Sequence, residues 1–232
     1  MNYPIKTEST DRVKMIFQMA YDSENMDAKF GNTLSKEENE VRRFILTHAP
    51  VLGHLTSIKE IKTTFPHLSP DHFDSILNKL NRSDVILLAA DKTSIVAAYP
   101  FSNSETSHLV TIKEHRFRPI YAMCAIDALG IGFMFKSATS IESCCSHCGE
   151  NVKIEIRENQ IISLNPARTE VWEDMEYSSC VAKTVCKNTN FFSSEEHFTE
   201  WQSENPKRKG ILLPIQEAFY LGKLYFEKRL ET

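Results

Sequence analysis

The chain has 232 residues, 41% hydrophobic and 25% charged, which is enough for one large or two small folded units with a sizeable core. Its formal net charge of -4 argues against a protein that relies on a basic surface to hold nucleic acid. The opening MNYPIKTESTDRVKM has no apolar run after a basic start, and the apolar run at 120–135 is too short and too interrupted for a membrane span. The expectation is a cytoplasmic protein with no membrane partner. In residues 1–34 the stretch VKMIFQMAY suits a short helix within a partly helical N-terminal extension. Ser35 and Glu38 make a capping box ahead of Val41, Phe44 and Ile45 at helical spacing, predicting a helix to about His48. Ser57 with Glu60 repeats the device, and Pro66 stops the second helix. Ser69 followed by Pro70 opens a third, whose apolar face is Phe73, Ile76, Leu77 and Leu80.

VILLAA and SIVAAYPF, separated by Asp91 and Lys92, read as a hairpin. Three helices and a hairpin make a winged-helix-like module over 35–104. The third helix offers Lys79 and Arg82 against Asp71, Asp74 and Asp84, a poor face for phosphates. Over 105–232 the pattern changes to a mixed or antiparallel β-sheet unit with a buried central helix and a C-terminal helix, so the fold class is α+β. HLVTIKEHRFRPI supplies one or two strands, and IYAMCAIDALGIGFMF is a buried helix expected to break near Gly130 and Gly132. TSIESCCSHCGENVKIEI reads as strand, turn, strand; QIISL and TEVWEDM continue the sheet, and KTVC ends a short strand. Ser193 and Glu196 cap EEHFTEW, and Pro214 opens a last helix lined by Ile215, Phe219, Gly222 and Phe226.

All six cysteines fall in the second half. In a cytosolic chain they point to metal binding, redox chemistry or catalysis rather than to a disulfide framework. Cys124 and Asp127 are three residues apart, one helical turn, inside the most apolar segment. A carboxylate there needs a partner, a metal or a raised pKa. Taken singly, Asp127 is also explained as a capping residue and Cys124 as a small core side chain. Cys145 and Cys148 form a CxxC knuckle, a candidate secondary metal site. A second pair, Cys180 and Cys186, is loosely spaced for a zinc ribbon, and His147 reads as a solvated turn residue.

Three segments together resemble the organomercurial (alkylmercury) lyase family: YAMCAIDAL, TVCKNTNFFSSEEHFTEW and LPIQEAFYLGK. The resemblance covers about 108–226, and the winged-helix-like N-terminal region fits it. It implies cleavage of a carbon–mercury bond by protonolysis, giving a hydrocarbon and Hg(II). Cys124 and Cys186 would take the metal, and Asp127 would contact it and relay a proton to the departing carbon. Thiolates are the natural ligands of so soft an ion, and an acid with a raised pKa can carry the proton. No resident cofactor is implied. External thiols serve as reductant and mercury acceptor, and the partners are an organomercurial substrate, free cytosolic thiols and mercuric reductase. Met123 stands where the family often has Trp, and Lys187 where it often has a second Cys. Cys145 matches a further family cysteine of structural character, whereas Cys148 is an addition. The rival readings are a non-catalytic thiol protein that binds Hg, Cu or Zn, and a winged-helix metal sensor; Asp127 separates the first from an enzyme.

Overall fold

The computed structural model describes residues 7–178 and 180–231; residues 1–6, where part of the expected N-terminal extension falls, lie outside the described residues. The chain begins with α1 (Thr7–Ser23) and the short α2 (Met26–Phe30), which ends at Gly31 in a left-handed conformation. Next come α3 (Lys36–Leu52), α4 (Ile58–Thr64) and α5 (Pro70–Arg82). The capping boxes at Ser35/Glu38 and Ser57/Glu60 are both formed, and Ser69 accepts from the His72 N–H. These hydroxyls satisfy helix-start N–H groups that would otherwise lack a partner. The face predicted for α5 is the one it buries: Phe73, Ile76, Leu77 and Leu80.

β1 (Ile86–Leu88) and β2 (Ile95–Ala98) form the expected hairpin, and β3 (Phe101–Ser102) adds a third antiparallel strand. β4 (Leu109–Ile112) and β5 (Ile120–Tyr121) lead into α6 (Ala125–Phe135). β6 (Thr139–Cys144), β7 (Asn151–Arg157) and β8 (Gln160–Asn165) complete an antiparallel five-stranded sheet in the order β5-β4-β6-β7-β8. In β7, buried Val152, Ile154 and Ile156 alternate with exposed residues, the period-two pattern of a sheet with one wet face. β9 (Glu170–Asp174) is the centre of a second sheet, flanked by β10 (Asn190–Phe192) and, beyond α7 (Glu195–Glu204), by β11 (Gly210–Pro214). α8 (Ile215–Phe226) closes the chain. The architecture is α+β with antiparallel sheets throughout. Among the described residues no helix is long and apolar enough to cross a membrane.

TEVWEDM does not continue the sheet as expected, since β9 is the centre of the separate second sheet, and two further expectations are corrected. The apolar helix begins at Ala125 rather than at Ile120, and it runs through both glycines to Phe135. Those glycines serve packing instead of ending the helix. A Cβ on Gly130 would sit 2.1 Å from Phe226 Cδ2, and one on Gly222 would sit 3.1 Å from the Gly130 nitrogen, so α6 and α8 cross backbone to backbone. Second, KTVC is not a strand. After a 3-10 turn at Val181–Lys183 the chain stays in turns until Asn190, with the Cys186 N–H donating to the Val181 carbonyl and the Thr189 N–H to that of Val185. Local turn bonds, not a ladder, satisfy this backbone.

One continuous apolar core runs from Val13 in α1 to Phe226 in α8. α6 lies at its centre, every residue from Ala125 to Met134 being buried.

Candidate functional site

Cys124 is the N-cap of α6 and Asp127 lies in its first turn. The Asp127 N–H donates to Cys124 Sγ at 3.4 Å, and Cys124 Sγ in turn donates to Asp127 Oδ2 at 3.2 Å. The three-residue spacing therefore acts as a cap, with sulfur in the place usually held by a hydroxyl oxygen. Cys186 comes from the opposite wall, and its Sγ donates to the same Oδ2 at 3.5 Å. The three side chains are 3%, 5% and 5% exposed in the order Cys124, Asp127, Cys186. One ligand atom from each lies within 4.8 Å of the others, a group able to hold a metal ion.

The turn segment that carries Cys186 has no regular structure to hold it, so its anchors matter. Asp84 Oδ2 accepts the Val181 N–H at 3.1 Å, and the Tyr99 hydroxyl accepts the Ala182 N–H. Lys29 Nζ pairs with Asp84 Oδ2 at 3.1 Å, donates to the Glu24 carbonyl at 2.7 Å, and lies over the Tyr99 ring. At the far end the Thr189 carbonyl accepts the Ala125 N–H at 3.1 Å, while its hydroxyl accepts the Asp174 N–H. Cys186 is thus fastened both to the N-terminal helices and to the first turn of α6.

A cavity of about 30 Å³ adjoins the three side chains, room for one or two water-sized groups. Its walls include Glu24 and Lys29 from the N-terminal segment, Glu173 from β9, and Tyr225 and Arg229 from the C-terminal end. Arg229 is 2% exposed and stacks between the rings of Phe30 and Phe226. Its carbonyl, like that of Lys29, accepts from Arg42 Nη1 at 2.9 Å. Burial dominates the electrostatics. It pushes the Cys124 thiol up to about 12 and the Cys186 thiol well above its ordinary value. Burial also raises Asp127 to about 6, against the opposing pull of the two thiol hydrogen bonds and of the Arg229 and Lys29 charges. Glu24 is raised to about 7, again mainly by burial. The resting site is two protonated thiols aimed at one carboxylate oxygen.

Cys145 and Cys148 lie at the β6–β7 turn, outside this group, and their third neighbour is His197 of α7 rather than Cys180 or Cys186. His147 pairs with Glu200 at 2.9 Å. Sequence reasoning did not find His197, Glu24, Lys29 or Arg229. Each reaches its place through tertiary folding, and a buried cation or acid leaves no periodic signal in the chain.

Fold and geometry together define an α+β protein with a buried dithiol–carboxylate centre. The family model described as alkylmercury lyase (MerB) matches residues 101–227. The chain belongs to the alkylmercury lyase family. It is 28% identical over 114 residues to an alkylmercury lyase of Staphylococcus epidermidis, covering 47% of this chain and 52% of that protein. For one of Bacillus cereus the identity is 30% over 111 residues, covering 46% and 49%. For one of Pseudomonas putida it is 28% over 129 residues, covering 55% and 58%. The chain therefore spans about half the length of the curated relatives it matches. Its fold resembles that in the crystal structure of the mercury-bound form of MerB2, with a TM-score of 0.72 and 24% identity over 97% of this chain and all of that one.

Proposed function

We propose that this protein is an organomercurial lyase that cleaves the carbon–mercury bond by protonolysis at Cys124, Cys186 and Asp127. The observation that carries the reading is that one carboxylate oxygen, Asp127 Oδ2, accepts from both thiols, with all three side chains buried. Mercury arrives as an organic cation bound to a small thiolate. One protein thiol replaces that thiolate, which leaves carrying the proton. The second thiol then binds mercury and passes its proton to Asp127, and Asp127 delivers it to carbon as the carbon–mercury bond breaks. The products are a hydrocarbon and Hg(II) held by the two sulfurs, so protons and charges balance. A carboxyl with a pKa near 6 suits both halves of the transfer, since it takes a proton from a thiol engaging the metal and yields it to a carbanion-like centre. Burial of the three groups limits loss of the proton to solvent before it reaches carbon.

This chemistry needs no resident cofactor. External thiols, then a mercuric reductase, take the ion away, and the reading places the protein in the cytoplasm. The finer description of the N-terminal half is a winged-helix-like module, supported by the order α3, α4, α5, β1, β2. Its α5 has a mixed surface in which Asp74 pairs with Lys62 at 3.0 Å, which favours a structural role over DNA binding. We take 1–34, 35–104 and 105–232 as a division of labour: the first segment roofs the cavity, the second anchors the Cys186 turn through Asp84 and Tyr99, and the third carries the thiols.

The test is incubation of reduced protein with phenylmercuric acetate and excess small thiol, with benzene followed by gas chromatography. Catalytic benzene is expected. Mercury retained without benzene would overturn the enzyme reading in favour of a soft-metal-binding protein.

A further inference from the structure

The turn after β6 presents a second cluster with different chemistry. Cys148 Sγ lies 3.4 Å and Cys145 Sγ 3.8 Å from His197 Nδ1, and the three ligand atoms fall within 4.8 Å of one another. For Zn–S of about 2.3 Å and Zn–N of about 2.05 Å, a tetrahedral ion places sulfur and nitrogen about 3.5 Å apart. The two sulfur–nitrogen distances already found need only tenths of an ångström of adjustment. The backbone turns tightly between the two sulfurs: Gly149, at a positive φ of 76°, donates its N–H to the Cys145 carbonyl at 2.9 Å. The Ser193 hydroxyl sits 2.6 Å from His197 Nδ1, a hydrogen bond that zinc displaces when it takes the Nδ1 lone pair.

We propose that Cys145, Cys148 and His197 form a metal site for Zn(II), separate from the Cys124–Asp127–Cys186 centre, with solvent in the fourth position. Thiolate ligands select Zn(II) or Cu(I), and an imidazole beside them favours Zn(II). Cys148 is exposed and His197 partly so, which gives the ion a path in. The site ties the β6–β7 turn to α7, and the Ser146 N–H bond to the Phe191 carbonyl ties the same turn to β10, the strand that follows the Cys186 segment. Bound zinc would staple the aromatic cluster of Trp172, Phe192, Phe198 and Trp201 that Cys145 adjoins. The proposal does not rest on the cleavage reading.

The test is to equilibrate the reduced full chain with Zn(II), desalt it, and measure zinc per chain by mass spectrometry, with Co(II) as a spectroscopic substitute. The variants are Cys148→Ser and His197→Asn, both at accessible side chains, and the Cys124→Ser/Cys186→Ser double variant. Circular dichroism checks that each is folded. One zinc per chain is expected in the wild type and in the double variant, with tetrahedral cobalt–thiolate bands, and none in Cys148→Ser or His197→Asn. Zinc-free wild type would overturn the proposal. So would zinc kept by Cys148→Ser and His197→Asn, or zinc lost from the folded double variant.

Discussion

The molecule holds two sites of similar inventory, each with two sulfurs and a third group, and they differ in what surrounds them. At Cys124, Asp127 and Cys186 the third group is a carboxylate and all three side chains are buried, so burial holds protons on the thiols. At Cys145, Cys148 and His197 the third group is an imidazole, and backbone N–H groups outweigh burial to lower the Cys145 thiol to about 6. On the proposed readings the same side-chain type serves as a proton store in one place and a metal ligand in the other. Environment, not residue identity, divides these roles.

The comparison is most strongly broken or upheld by removing sulfur. Cys124→Ser and Cys186→Ser are each expected to lower organomercurial cleavage by about a thousandfold or more, because a hydroxyl neither holds mercury nor yields its proton readily. Hydrocarbon release under excess thiol measures this, and near-normal turnover by either variant would remove the distinction between the sites. Asp127→Asn should lower steady-state cleavage by about 10² to 10⁴, the usual weight of a positioned acid–base group.

Smaller effects sharpen the packing and electrostatic sides. Gly130→Ala places a methyl against the Phe226 ring and should cost about 1–3 kcal/mol, read as a lowered melting temperature. The same substitution at Gly149, where a Cβ meets nothing within 4 Å, should be limited to the strain of its positive φ. Burial raises Asp127 from 3.8 to about 6, so the fold binds this proton more tightly than the unfolded chain does. Its contribution to stability is present below about pH 4 and is lost as pH rises through about 6. Asp127→Asn should therefore raise the melting temperature at pH 8, by up to about 3 kcal/mol of stability, and gain little at pH 4. Thermal melts at the two pH values give the comparison.

Much of this was legible in the chain because it is local. Ser35, Ser57 and Ser69 cap helices by bonds that span three residues, and Phe73, Ile76, Leu77 and Leu80 mark the buried face of α5 by spacing alone. Cys124 and Asp127 stood out as polar groups in an apolar run, although the cap that joins them required the helix to begin at Ala125. Cys186 was legible by resemblance to a family, not by local pattern, and its turn was misread as a strand because Val and Thr favour extended backbone. His197 is 49 positions from Cys148, and Lys29 and Arg229 approach the cavity from opposite ends of the sequence. Packing of α1 on α8 and of α8 on α6 brings Lys29 and Arg229 to one cavity, while α7 lying on β10 brings His197 to the β6–β7 turn.

The most direct test of the proton path is a single turnover of Asp127→Asn with stoichiometric phenylmercury, followed by chemical identification of the retained mercury. The account predicts intact phenylmercury held by the thiols with no prompt benzene. Benzene released at the wild-type rate, leaving Hg(II) on the protein, would contradict it.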